Sequence, residues 1–127
     1  MTRKTHIAVG IVATLPLLKI FPAYVIIGTV GATMPDWDLL LGIKHRTITH
    51  SLLALMVSTI TIMLLNHSVG IIFGLNYLIH LLLDSCTKTG TPFLYPFNKK
   101  YYGPKLIKTG GAEDLSICLL SVFLIFV

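Results

Sequence analysis

The chain has 127 residues, of which 54% are hydrophobic and only 12% charged, and its mean hydropathy is +0.83. Soluble domains average about 25% charged residues, so lipid is the expected solvent for much of this protein. The length predicts a single membrane-embedded domain, residues 1–127. It excludes a large soluble catalytic domain on a membrane anchor, because apolar segments occupy more than half of the chain.

Two short apolar segments open the chain, at residues 7–18 and 21–32. As helices of about 12 residues they reach roughly 18 Å, which is less than the hydrocarbon core of a bilayer, about 30 Å. We therefore expect a tight hairpin packed against longer helices. The alternative is one kinked helix with Pro16 and Pro22 in its bend. Pro35 and the acids after it end the second segment.

Longer apolar segments follow. Residues 47–66, with their polar flanks, make 20 residues, enough to span a bilayer. A turn at residues 66–68 leads into a second span, 69–83. Residues 85–111 are rich in Thr, Gly, Pro, Tyr and Lys and predict a loop, and residues 115–127 a final short helix. The fold expected is an all-α integral membrane protein, a small up-and-down bundle of about four to five transmembrane or re-entrant helices.

An up-and-down path gathers the polar residues at one end of this bundle. All five acids lie there, as do four of the five histidines and nine of the ten basic residues, leaving Lys19 and His67 at the other end. The positive-inside rule then predicts a multi-pass protein of the cell (inner) membrane whose polar end is cytoplasmic. Topology explains the basic residues, so nucleic-acid binding is not expected.

Several of the gathered residues are typical metal ligands. His80 and Asp84 are four apart and share one face of a helix. Asp36 and Asp38 follow Pro35 in a loop and offer hard oxygen ligands. Mixed imidazole and carboxylate ligation suits one or two Zn²⁺ ions, with manganese or iron as alternatives. The expected ligands are His6, Asp36, Asp38, His45, His50, His80 and Asp84.

The two histidines at 45 and 50 are five apart, so they do not share a face of one continuous helix. We expect His45 in the loop and His50 in the first turn of the next helix, with Thr47 or Thr49 near its N-cap.

Two further residues are candidates for catalysis. Arg46 can hold phosphate oxygens in a bidentate fork, with a plain interfacial anchor as the alternative. Glu113 either completes the metal shell or acts as a base, with a charge that complements the helix dipole as the alternative. Aromatic residues near the same end are typical of a belt at the membrane surface: Trp37, Tyr95, Tyr101 and Tyr102.

These motifs together resemble the YdjM-like membrane-bound, metal-dependent hydrolases, a family described as LexA-regulated. The resemblance runs over almost the whole chain. It implies an inner or plasma membrane protein of about four helices with hydrolase activity, and the HxxxD pair more distantly resembles zinc-dependent phospholipases C. The residues that carry it are His6, Pro35-Asp36-Trp37-Asp38, His45-Arg46-Thr47-Ile48-Thr49-His50-Ser51, His80, Asp84, Thr87, Gly90, Pro96 and Glu113. Family members commonly have a histidine after the second aspartate, where this chain has Leu39.

The leading functional prediction is a membrane-bound metal-dependent hydrolase that acts on a phosphoester, in a phospholipid or lipid-linked substrate, through metal-activated water. In a site with two ions, Asp84 or Asp36 is the expected bridging carboxylate. The main alternative is a non-catalytic membrane protein that senses or carries a divalent metal. A third is a structural or regulatory subunit with a vestigial site, which Leu39 would favour.

Overall fold

The computed structural model describes residues 1–42 and 44–127, and over these ranges it contains helices and turns but no strand. Short 3-10 turns lie at Leu15–Leu17, Met34–Leu39 and Ile48–His50. The prediction of an all-helical bundle of four to five helices is confirmed in class and number. The helices are α1 (Arg3–Thr14), α2 (Ala23–Thr33), α3 (Leu52–Leu65), α4 (His67–Ser85) and α5 (Ala112–Phe126).

Helices α1 and α2 form the expected hairpin. Helix α1 ends at Thr14, and Pro16 follows in a 3-10 turn because proline cannot continue the α-helical bond pattern. The two helices pack antiparallel and very closely. A Cβ atom on Gly10 would lie 2.6 Å from the Cβ of Ala32, and Gly28 faces Thr14. The kinked single helix is therefore excluded.

Helix α4 is the centre of the bundle, since α1, α2 and α3 all pack against it, while α5 packs against α1. Its core residues are Phe73, Tyr77 and Leu81, each at most 3% exposed. Gly31 of α2 packs directly against the backbone carbonyl of Phe73, which leaves no room for a Cβ atom. Small residues at these crossings let the backbones approach closely, as is common where helices pack in lipid.

Within the described residues, α4 alone is both long and apolar enough to cross a membrane, with 19 residues or roughly 28 Å. The prediction of a 20-residue span at 47–66 is wrong, because α3 begins only at Leu52. The side chain of Ser51 caps α3 by accepting a hydrogen bond from the Ala54 amide at 3.1 Å. Many large apolar side chains point outward, among them Leu65 at 85% exposed, as expected of a surface in contact with lipid.

The predicted loop between α4 and α5 is confirmed. It folds back over the start of α3, with single bridges between Thr87 and Ile107 and between Thr91 and Tyr102. The amide of Leu52 donates to the carbonyl of Phe93 at 2.9 Å. The loop therefore covers the end of the bundle where the polar residues gather.

Helix α5 begins three residues earlier than predicted, and Asp114 explains the difference. This carboxylate is fully buried and accepts hydrogen bonds from the Gly110 amide at 2.8 Å, the Thr2 amide at 2.9 Å and the Thr5 hydroxyl at 2.5 Å. It stabilises the first turn of α5 and fixes that turn to α1.

We expect Gly31→Ala to destabilise the protein by about 1–3 kcal/mol, because the added methyl group collides with the backbone carbonyl of Phe73. Thermal unfolding in detergent, followed by circular dichroism, measures the effect. Val30→Ala, at the outward-facing neighbouring position, is the control and should change stability much less. Equal melting temperatures for Gly31→Ala and the unmodified protein would contradict the close α2–α4 contact.

Candidate metal centre

The structure brings all seven predicted ligand residues to one end of the bundle. They come from α1, from the Met34–Leu39 turn, from the segment before α3 and from the last turns of α4. Their side chains are at most 8% exposed, except that of His45, which is 33% exposed. Burying so many ionisable groups is costly unless they pair or bind something.

Four of these residues form a first group: Asp36, His45, His50 and Asp84 each offer a ligand atom, and these atoms lie within 4.8 Å of one another. The Nε2 atom of His50 lies 3.4 Å from Asp84 Oδ2 and 3.7 Å from Asp36 Oδ1. The Nε2 atom of His45 lies 3.9 Å from Asp36 Oδ1.

A second group consists of His6, His80 and Asp84. His6 Nε2 lies 3.1 Å from Asp84 Oδ1, and His80 Nε2 lies 3.8 Å from Asp84 Oδ2. The two imidazole rings stack with their centroids 3.6 Å apart. Asp84 belongs to both groups, so its two oxygens lie between two sets of ligand atoms.

The hydrogen bonds of His80 show which of its nitrogens is free to bind a cation. Its Nδ1 donates to the carbonyl of Ala32 at 2.6 Å, so the neutral ring carries no proton on Nε2. That Nε2 atom faces His50 Nε2 at 3.4 Å and Asp36 Oδ1 at 3.6 Å. Ligands at 2.0–2.2 Å from a tetrahedral zinc ion lie roughly 3.3–3.6 Å apart, so these separations fit a divalent cation.

The structure gives Asp38 a different position from the one predicted. It lies in neither group of ligand atoms. Its fully buried carboxylate accepts hydrogen bonds from His45 Nδ1 at 3.0 Å, the Thr49 hydroxyl at 2.8 Å and the Arg46 amide at 3.3 Å. Asp38 therefore orients His45, whose Nε2 is left to face Asp36.

His50 lies in the 3-10 turn before α3 and not in the first helical turn, and the N-cap is Ser51 and not Thr47 or Thr49. The hydroxyl of Tyr77 donates to the Thr49 carbonyl at 2.5 Å and fixes this turn to α4. Tyr77 is not among the residues predicted from the sequence, although its position three residues before His80 places it on the same helix face.

Neighbouring charged groups shift the pKa values of Asp36 and His50, two residues of the site that lie outside the α-helices. Burial alone would raise the pKa of Asp36, but its hydrogen bond with His50 and the neighbouring rings of His80 and His6 lower it below the usual range. Burial alone would lower the pKa of His50, whereas the carboxylates of Asp36 and Asp84 raise it above the usual range. The site therefore favours charged carboxylates with a cationic partner between them.

Arg46 is buried and adopts a left-handed backbone conformation, with φ of 58°. Its Nη1 donates to the Thr87 hydroxyl at 2.9 Å and the Gly90 carbonyl at 3.1 Å, and its Nη2 lies 3.2 Å from Asp84 Oδ1. The Met1 amino group contacts the same carboxylate oxygen. These contacts favour a positioning role for Arg46, and its role as a phosphate ligand stays a prediction.

The structure does not bring Glu113 to the cluster. Its side chain is exposed and belongs to neither group, whereas its neighbour Asp114 is buried. Leu39, at the position where the family resemblance leads us to expect a histidine, is 54% exposed and does not contribute to the buried cluster. Cys86 and Cys118 are free thiols.

Comparison with known proteins supports the resemblance found in the sequence. The family described as YdjM inner membrane protein matches residues 1–126, which include every residue of the cluster. Nothing among the curated proteins or the solved structures matches the chain. The match covers nearly the full sequence, and the chain therefore belongs to the YdjM inner membrane protein family.

Proposed function

We propose that this protein is a multi-pass inner-membrane metallohydrolase that cleaves a phosphoester in a phospholipid or lipid-linked substrate. The observation that carries the proposal is the position of Asp84, a buried carboxylate shared by two groups of imidazole and carboxylate ligands. A carboxylate between two ligand groups is typical of sites that hold two metal ions and act on phosphoesters.

The residues that would hold the metal follow from the two groups. His45, His50, Asp36 and Asp84 would hold one ion, and His6, His80 and Asp84 a second. Zinc suits this mixture of nitrogen and oxygen ligands. When bound, zinc supplies Lewis acidity and a water whose pKa lies near 7.

The remaining residues of the site hold these ligands in place. Asp38 orients His45, and the Ala32 carbonyl sets the tautomer of His80. Arg46 fixes Asp84 relative to the loop that follows α4. Because His45 is the most exposed ligand, we infer that substrate approaches the site from its side.

The proposed location rests on charge. Nine of ten basic residues belong to the end of the chain path that carries the site, and the positive-inside rule favours the cytoplasmic face for such an end. A site there, beside the start of α3 and the last turn of α4, would reach substrates at headgroup depth.

His80→Ala should lower the bound metal by at least half, because it removes an imidazole whose Nε2 faces Asp36, His50 and Asp84. Elemental analysis of the purified, zinc-equilibrated protein measures the ratio of metal to protein. His67→Ala is the matched control, since His67 is exposed at the opposite end of α4. Metal content that His80→Ala leaves unchanged would remove the central ligand assignment.

Asp38→Asn should weaken metal affinity about 10–100-fold while the stoichiometry at saturating zinc stays unchanged, because Asp38 orients a ligand without binding metal itself. Competition with a zinc chelator measures the affinity. Glu113→Gln, at an exposed carboxylate, should leave it unchanged. Loss of stoichiometric binding in Asp38→Asn would instead make Asp38 a direct ligand.

The reaction is tested by phosphate release from liposomes that contain the protein and either phosphatidic acid or a polyprenyl monophosphate. We expect release from at least one substrate that depends on zinc, and Asp84→Asn should reduce it to the level of protein-free liposomes, because both ligand groups lose their shared carboxylate. Zinc uptake into the liposomes without phosphate release would favour the alternative of a non-catalytic metal carrier.

A further inference from the structure

A small cavity that carries two lysines lies near the ligand cluster. Its volume is about 220 Å³, and it is lined by Lys44, Thr47, Tyr95, Lys99 and Tyr101. The segment before α3 supplies two of these residues and the loop between α4 and α5 supplies three. None of them belongs to the predicted metal site.

The cavity is adjacent to the accessible side of the cluster. Lys44 and Thr47 flank His45 and Arg46 in the chain, and His45 is the most exposed ligand. The hydroxyl of Tyr101 donates to the Arg46 carbonyl at 3.0 Å. The Arg46 side chain contacts Asp84 while its carbonyl accepts from Tyr101, so this one residue contacts both the cluster and a wall of the cavity.

The positive charge of the cavity is not neutralised by neighbouring acids. In the part of the chain that the structure describes, no carboxylate lies within 4.0 Å of the Lys44 or Lys99 ammonium group. The chain has only five acids: Asp36 and Asp84 belong to the ligand groups, Asp38 is hydrogen-bonded to His45, and Glu113 and Asp114 lie at the start of α5. The two exposed lysines therefore leave the cavity with positive charge that none of the described carboxylates neutralises, and such charge attracts anions.

Hydrogen bonds hold the cavity walls in place. The Thr47 hydroxyl donates to the Lys44 carbonyl at 2.6 Å, and the Tyr95 amide donates to the Pro92 carbonyl at 3.0 Å. Lys99 lies between Asn98 and Lys100, and the amide of Lys100 donates to Asn98 Oδ1 at 2.9 Å. The backbone at Lys44 and beside Lys99 is therefore held by hydrogen bonds.

We propose that Lys44 and Lys99 bind a phosphate group of the substrate and hold it next to the ligand cluster at His45. The inference rests on the proposed function and deepens it by naming the residues that recognise the substrate. Arg46, the cation expected to do this from the sequence, is already engaged with Asp84, Thr87 and Gly90. Exposed apolar side chains nearby in the loop, Leu94 and Phe97, suit a phosphate carried by a lipid.

The test is the double variant Lys44→Ser and Lys99→Ser, purified in neutral detergent and loaded with zinc. Native mass spectrometry of the protein titrated with phosphatidic acid gives the affinity, and phosphatidylcholine is the lipid control. We expect the double variant to bind phosphatidic acid at least about tenfold more weakly, since two lysines near a headgroup are lost. The control is the double variant Lys88→Ser and Lys108→Ser, which removes the same amount of charge from exposed positions in the loop between α4 and α5. It should bind phosphatidic acid with the affinity of the unmodified protein.

Titration with inorganic phosphate, followed by ³¹P NMR, distinguishes the source of the anion. Lysine-dependent binding of phosphatidic acid alone assigns the cavity to a lipid headgroup, and lysine-dependent binding of inorganic phosphate as well assigns it to any phosphate group; both support the proposal. Equal binding of both probes by the double variant and the unmodified protein would overturn it.

Metal content measured on the same samples separates this inference from the proposed function. If the zinc content is unchanged and the double variant binds phosphatidic acid as tightly as the unmodified protein, the anion site alone would be overturned. Absence of zinc in the unmodified protein, with binding that still depends on the lysines, would overturn the metallohydrolase and support the anion site. A melting temperature equal to that of the unmodified protein shows that the double variant folds.

Discussion

The buried carboxylate of Asp84 is the constraint on which the rest of this structure depends. A charged group at 1% exposure is costly, and it persists here because partners surround both of its oxygens. Removing one partner from such a buried set typically costs about 3–5 kcal/mol, since the remaining charge is left uncompensated. The partners come from the residues before α1, from α1 and α4, and from the segment before α3, so these parts of the chain must meet at one end of the bundle. They are Met1, His6, Arg46, His50 and His80.

The segment between the Met34–Leu39 turn and α3 connects the metal chemistry to the surface. The left-handed conformation of Arg46 sends its guanidinium inward to Asp84, while its carbonyl holds Tyr101 at the adjacent cavity. Lys44 lies on the cavity side, and His50 lies on the cluster side. One short stretch of chain therefore supplies ligand candidates, a positioning residue and Lys44, one of the two cations proposed to recognise the substrate.

Much of the helical architecture follows from local patterns. The polar composition of residues 85–111 marked the long loop correctly. The first helix ends at Thr14, four residues before the end of the apolar segment 7–18, because Pro16 cannot continue the helical backbone bonds. The span expected at 47–66 failed because it counted the polar flank 47–51 as part of the helix, whereas the cap at Ser51 starts the helix only at Leu52. Capping depends on which hydroxyl can reach a free amide, which composition does not specify.

The sequence by itself indicated which histidines and acids gather at one end of the bundle, because the four-residue spacing of His80 and Asp84 and the position of the acids after Pro35 are local features. Only the tertiary structure decided the role of each residue. It separated Asp38 from Asp36 and buried Asp114 in place of Glu113. The physical reason is that these roles depend on distances of 3–4 Å between side chains far apart in the chain, and helix packing sets those distances.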